Sequence, residues 1–126
     1  MVSKGLRNWF VIHFILDVLF GVPLILAPFQ FLSFFGWSTI DPITARLVGA
    51  ALMGIGIESF LGRNADIQAY QGMLNIKIIW SGAAIIGFVL SILTGYHPWG
   101  IWLLLVIFAA FNVLWICYRL QLRKLQ

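Results

Sequence analysis

The chain has 126 residues, of which 62% are hydrophobic and only 10% are charged, and its mean hydropathy is +1.00. Soluble domains carry about 25% charged residues, so this composition excludes an ordinary soluble protein and predicts an integral membrane protein. The formal net charge is +4. Because the basic residues are grouped on one side of the predicted membrane spans, this charge indicates orientation, and no nucleic-acid partner is expected.

Four apolar stretches are long enough to cross a bilayer core of about 30 Å, which needs about 20 helical residues. They cover residues of about 8–27, 43–62, 70–94 and 98–119. The segments between them are too short to hold a soluble domain. The sequence therefore predicts an all-α integral membrane four-helix bundle, with residues 1–126 forming a single four-span transmembrane domain.

The first predicted helix ends at Ala27-Pro28, because proline removes a backbone donor and disfavours a helical conformation in the residue before it. Residues Phe29–Phe35 are then expected to lie along the outer interface. The apolar run is longer than that of a typical signal peptide, and no small-residue cleavage site follows it. We therefore expect this helix to be retained as a membrane span.

Three short patterns predict where the later helices begin. Asp41 can cap the second helix, with Pro42 at the first helical position, where a missing N–H costs nothing. Asp66 is the expected cap of the third helix. The pair His97-Pro98 is expected to open the fourth helix in the same manner as the pair at 41–42.

The basic residues predict the orientation in the membrane. Six of the eight Lys and Arg residues fall on the side shared by the two termini and the connection between the second and third helices: Lys4, Arg7, Arg63, Arg119, Arg123 and Lys124. The positive-inside rule then predicts a multi-pass protein of the cell inner (plasma) membrane with both termini in the cytoplasm. Arg46 lies about one turn inside the outer end of its helix, so its side chain is expected to reach the surface.

Ionisable and polar side chains interrupt the apolar stretches. Asp17 lies in the middle of the run Trp9–Leu26, where a carboxylate costs roughly 2.5–3.5 kcal/mol on insertion scales. Counting inward at about 1.5 Å per residue places Asp17 roughly 14 Å deep. Four further side chains fall roughly 6–10 Å deep by the same count: His13, Glu58, Lys77 and Asn112. Intramembrane ionisable groups commonly mark function, so these five residues are the candidates for ligand binding or for a relay.

Residues spaced three or four apart share a helix face, which predicts the direction of these side chains. The rows are His13, Asp17 and Gly21 in the first helix, Ala50, Gly54 and Glu58 in the second, and Lys77, Ser81 and Ala84 in the third. Small residues in such a row allow close helix approach, so Asp17 and Glu58 are both expected to face protein. Asn75 is expected to point elsewhere.

Two interpretations of this cluster remain open. In the structural one, Lys77 pairs with Glu58 or Asp17, His13 hydrogen-bonds Asp17, and the network fixes helix order without a net gain in stability. In the functional one, the cluster is a proton or ion relay or a polar ligand pocket. One histidine and two carboxylates are a weak pattern for metal binding, so no metal site and no catalytic residue are predicted.

Several short motifs of the first half resemble a known group of proteins. They are Ala27-Pro28, then Phe34-Phe35-Gly36, then Asp41-Pro42, followed by the run from Arg46 to Gly54, RLVGAALMG. This arrangement resembles small four-helix bacterial and archaeal membrane proteins of the DoxX-like type and related uncharacterised families. The likeness covers the first two helices, under half of the chain. It implies the four-helix fold, and for some members of the family a role as a quinone-linked oxidoreductase subunit.

The function expected first is that of a non-enzymatic membrane protein that binds or passes a small ligand, a proton or a lipid-like molecule through the charged cluster. The alternative is a membrane anchor or accessory subunit of a larger complex, and the third is a quinone- or lipid-linked enzyme. The expected partners are the lipid bilayer and either further copies of the chain, as a homo-oligomer, or a larger membrane complex. The sequence identifies no cofactor.

Overall fold

The computed structural model describes residues 1–126, and all of its regular secondary structure is helical. The helices are α1 (Lys4–Leu26), α2 (Pro28–Phe34), α3 (Pro42–Leu61), α4 (Ile67–Leu93) and α5 (Gly100–Arg123), with a 3₁₀ turn at Gly62–Asn64. Four of them, α1, α3, α4 and α5, are long and apolar enough to cross a membrane. The prediction of an all-α, multi-pass membrane protein is confirmed.

The predicted caps of the second and third spans are present. The Asp41 carboxylate accepts a hydrogen bond from the N–H of Ile43 at 3.1 Å and another from the hydroxyl of Thr44. These two bonds, that of Thr44 above all, hold the pKa of Asp41 below its usual value. Asp66 accepts from the N–H of Ala69 at 2.9 Å. Each aspartate thus satisfies backbone donors that a helix start leaves unpaired.

Two helix boundaries differ from the prediction. The chain becomes helical at Lys4, because Ser3 accepts a hydrogen bond from the N–H of Leu6 at 3.2 Å and so caps α1 before the apolar run begins. The prediction that His97-Pro98 opens the last helix is wrong. That helix starts at Gly100, behind Trp99 and without a side-chain cap. Hydropathy locates the apolar span, whereas the chain can stay helical in the polar residues beyond it.

Contacts divide the chain into two compact units, one of Val2–Ala65 and one of Met1 with Asp66–Gln126, called here the first and the second unit. In the first unit α1 packs against α3. Gly21 lies against Gly49, and Phe14 contacts Phe60 with 4.8 Å between ring centroids. Because residue numbers rise along one helix and fall along the other, the two helices are antiparallel.

The close approach of α1 and α3 depends on glycine. A Cβ added at Gly49 would lie 2.9 Å from the carbonyl oxygen of Gly21, which is closer than real Cβ atoms come. A Cβ added at Gly21 would lie 3.1 Å from the carbonyl oxygen of Gly49. Backbone therefore meets backbone at this crossing, as in other membrane helix pairs with small residues at the interface.

In the second unit α4 packs against α5, also antiparallel. The contacts pair Trp80 with Phe108 at 6.5 Å between ring centroids, and Phe88 with the same ring at 5.4 Å. Nearer the other end, the Nε of Arg119 donates to the Oδ1 of Asn75 at 2.9 Å. This interface contains large aromatic rings, unlike the glycine interface of the first unit.

Candidate functional site

Asp17 is buried in the first unit although its helix is apolar. Only 6% of its surface is exposed. Its side chain lies directly against α3: a Cβ added at Gly56 would be 2.6 Å from the Cβ of Asp17 and 3.1 Å from its Oδ2. The absence of a side chain at position 56 therefore creates the space that the carboxyl group occupies.

His13 lies one helical turn before Asp17, on the same face of α1, as predicted. Its Nδ1 is 3.0 Å from the Oδ2 of Asp17, and only about a tenth of each side chain is exposed. The distance is that of an ion pair, yet Oδ2 receives no hydrogen bond of acceptable geometry. Nδ1 and Oδ2 are therefore in contact without the alignment that a directional hydrogen bond requires, and the contact is ionic only when the ring is protonated.

Glu58 does not join this pair. The prediction that Ala50, Gly54 and Glu58 form a row facing protein is wrong, because all three are exposed. The buried face of α3 consists of Ala45, Gly49, Leu52, Gly56 and Ser59. Both rows contain small residues four apart, and the one that packs is the one whose glycines fit Gly21 and Asp17 of α1.

Arginines connect the ends of the first unit. Near the start of α1, Arg7 donates to the carbonyl oxygen of Arg63. At the opposite end, the Nε of Arg46 donates to the carbonyl oxygen of Ile25 at 3.1 Å. Each cation therefore satisfies a carbonyl at or just beyond the C-terminal end of the partner helix, where the helix dipole also favours positive charge. Arg46 is exposed.

Lys77 is the buried cation of the second unit, with 3% of its surface exposed. Its Nζ lies 5.3 Å from the centroid of the Trp115 ring, within the range of a cation–π interaction. Trp115 is 1% exposed and stacks on Phe111 at 5.5 Å between centroids. The ring therefore combines a large packing surface with an electrostatic contact to the ammonium group.

Asn112 closes a chain of hydrogen bonds beside Lys77. Its Nδ2 donates to the Oγ of Ser81 at 2.8 Å and to the carbonyl oxygen of Ile78 at 3.1 Å. The Oγ of Ser81 donates in turn to the carbonyl oxygen of Lys77 at 2.7 Å. Both N–H bonds of the Asn112 amide are thus used within the protein, which indicates that this residue joins α4 to α5.

Replacing Asn112 by leucine is expected to lower the stability of the second unit by about 0.6–1.7 kcal/mol, the range measured for single hydrogen bonds between membrane helices. The reason is that the Ser81 hydroxyl and a backbone carbonyl both lose their donor. Reversible unfolding in mixed micelles measures the loss. An Asn112→Leu variant as stable as the native chain would contradict the assignment.

The five predicted residues are divided between the two units. His13 and Asp17 form a pair in the first unit, and Glu58 of that unit is exposed. Lys77 and Asn112 belong to the second unit and share the hydrogen-bonded segment around Ser81. The expected pairing of Lys77 with Asp17 or Glu58 stays a prediction. No group of three or more His, Cys, Asp and Glu side chains is arranged to hold a metal ion.

Two residues that shape the site were not singled out from the sequence. Gly56 has no reactive side chain, and it shapes the site because the absence of a side chain leaves room for the Asp17 carboxyl group. Trp115 is one of six tryptophans, three of which, Trp9, Trp37 and Trp99, fall near the predicted membrane boundaries. Gly49 and Gly56 are seven residues apart and so lie on the same helix face. This spacing is the sequence signal that indicates a packing role for Gly56.

Comparison with known proteins adds no relative: no family model, no curated protein and no solved structure matches the chain. The resemblance to DoxX-like proteins therefore stays a prediction that rests on the motifs of the first two spans.

Proposed function

We propose that this membrane protein binds and passes a proton, or a ligand equally small, and that the His13–Asp17 pair is the binding position. The observation that carries the proposal is the state of the Asp17 carboxyl group. It is almost fully buried, it has one ionisable neighbour at 3.0 Å, and its Oδ2 receives no hydrogen bond. Most buried polar atoms in proteins are hydrogen-bonded, so an exception needs an explanation, and a functional role is one of the recognised ones.

The polar groups of the two units differ in whether their side-chain atoms are hydrogen-bonded. Asn112 and Ser81 use their donors in hydrogen bonds to fixed acceptors, which is what a structural network needs. The Oδ2 of Asp17, in contrast, touches the Nδ1 of His13 and receives no hydrogen bond. A carboxyl group whose oxygen is not held by a donor can change its protonation state without breaking a hydrogen bond.

The charge balance of the pair favours one shared proton. A neutral carboxylic acid beside a neutral imidazole, and a carboxylate beside an imidazolium, both have zero net charge. Loss of that proton leaves a single negative charge in an apolar helix, and gain of a second leaves a positive one. Both charged states are costly where water is scarce. Histidine is also the side chain that ordinarily changes charge near physiological pH.

The orientation that we propose has both termini in the cytoplasm. Two observations support this arrangement: in the first unit the antiparallel packing brings Arg7 to Arg63, and in the second unit Arg119 and Arg123 lie together in the last turns of α5. By the positive-inside rule such ends lie on the cytoplasmic side.

Proton passage is tested with the purified chain in liposomes that contain a pH-sensitive dye. An imposed membrane potential is expected to drive acidification in vesicles with the native chain and not in empty ones. Asp17→Asn is expected to reduce the rate to that of empty vesicles, because an amide cannot take up the proton. Glu58→Gln is the matched control: it removes an exposed carboxylate of α3 and is expected to leave the rate unchanged.

Equal rates for Asp17→Asn and the native chain, or no acidification above empty vesicles, would contradict the proposal. The anchor alternative predicts the second of these results together with a soluble protein that co-purifies with the chain in stoichiometric amount.

A further inference from the structure

A cleft lies at one end of the second unit, beside the last turns of α5. Its volume is about 340 Å³, and it is lined by Asn75, Arg119, Leu120, Arg123 and Gln126. The lining combines two guanidinium groups, two amides and one apolar side chain. It shares no residue with the His13–Asp17 pair, so what it binds is a separate question.

The two arginines are positioned so that both side chains can contact the same ligand. Arg119 and Arg123 are four residues apart in α5, so they lie on the same side of that helix, one turn apart. The Nε of Arg119 donates to the Oδ1 of Asn75, 2.9 Å away. An amide oxygen orients the guanidinium group but does not neutralise it, so the positive charge is kept for a ligand.

No acidic side chain of the second unit lines this cleft. Residues 67–126 contain no Asp or Glu. Asp66, the one acidic residue of the unit, caps α4 by accepting from the N–H of Ala69. The side chains that line the cleft therefore carry a net positive charge, which no acidic side chain of residues 67–126 balances.

We propose that the cleft binds a phosphate-bearing anion through Arg119 and Arg123. Guanidinium groups bind phosphate oxygens with two parallel hydrogen bonds, which makes arginine the side chain best suited to this ligand. The cleft lies where the apolar residues of α5 give way to basic ones, which is the level of lipid headgroups, and Leu120 supplies an apolar wall. An anionic phospholipid is the expected source of the phosphate, since basic pockets at this level bind such headgroups.

Binding is measured by titration calorimetry on the full chain in detergent, at constant ionic strength. The probes are dihexanoyl phosphatidylglycerol, dihexanoyl phosphatidylcholine and inorganic phosphate. Arg119→Gln and Arg123→Gln are each expected to weaken the binding of phosphatidylglycerol about tenfold, the effect of losing a charge-assisted hydrogen bond. Lys124→Gln removes the same charge beside the cleft without lining it, and its effect is expected to be under about threefold.

Tighter binding of phosphatidylglycerol than of inorganic phosphate identifies a lipid as the ligand, and the reverse order identifies a soluble phosphate. Either order supports the site. Arginine variants that bind phosphatidylglycerol as well as Lys124→Gln does, or equal affinity of the native chain for phosphatidylglycerol and phosphatidylcholine, would overturn it. Circular dichroism shows whether each variant is folded. Arg123 is exposed, so Arg123→Gln is expected to fold and gives a result even if Arg119→Gln does not.

Discussion

Replacing Gly56 by alanine is expected to destabilise the first unit by about 1–3 kcal/mol, the usual cost of overpacking a well-filled interface. The new Cβ would lie 2.6 Å from the Cβ of Asp17, so α1 and α3 must move apart or the carboxyl group must turn away. The new atom would meet the Cβ and the short carboxyl group of Asp17 and not the flexible end of a long side chain. A change of rotamer therefore does not readily relieve the strain. Reversible unfolding in mixed micelles measures the loss of stability.

Gly54→Ala is the matched control for this prediction. Gly54 lies in the same helix, and a Cβ added there meets nothing within 4 Å. Because alanine has a higher helix propensity than glycine by about 1 kcal/mol, this variant is expected to be as stable as the native chain or more so. A Gly56→Ala variant that is no less stable than Gly54→Ala would show that the helices do not meet as described.

Replacing Trp115 by alanine is expected to cost more than any other single truncation in the second unit. Large aromatic-to-alanine changes cost about 3–5 kcal/mol in protein cores. We expect the lower end of that range, because lipid penalises newly exposed apolar surface less than water does. The loss combines the cavity left by a side chain that is 1% exposed with the loss of the ring face beside the Lys77 ammonium group.

Trp102→Ala serves as the control for this variant. Trp102 is in the same helix but 51% exposed, so its truncation is expected to change stability by less than about 0.5 kcal/mol. The comparison is made by unfolding both variants under identical conditions. Equal losses would contradict the assignment of Trp115 to the packed interior.

Much of the fold can be predicted from the sequence, because the correct predictions depend on interactions between residues that are close together in the chain. Apolar runs of about 20 residues set the four spans. Asp41 and Asp66 begin their helices because their carboxylates accept from nearby backbone N–H groups, a property that three or four residues decide. His13 and Asp17 face the same way because one helical turn separates them.

The arrangement of α3 against α1 could not be predicted in this way. Two rows of small residues run along α3, one through Gly54 and one through Gly49 and Gly56. Helical spacing alone does not show which of the two rows packs against α1. That depends on the three-dimensional fit to Gly21 and Asp17. The prediction for Glu58 was wrong for the same reason, since its direction follows from the row that packs.

Infrared difference spectroscopy tests our proposal that Asp17 and His13 hold one exchangeable proton between them. Two of the three aspartates, Asp41 and Asp66, are exposed helix caps, so an Asp17→Asn difference spectrum isolates the buried carboxyl group. We predict that the Asp17 carboxyl band and the His13 imidazole bands change together when the proton is withdrawn and returned, because one proton serves both groups. His13→Asn is expected to shift the Asp17 band, since the ring Nδ1 lies 3.0 Å from Oδ2 in the native chain. An Asp17 band that is the same with and without His13, or that never changes, would contradict the proposal.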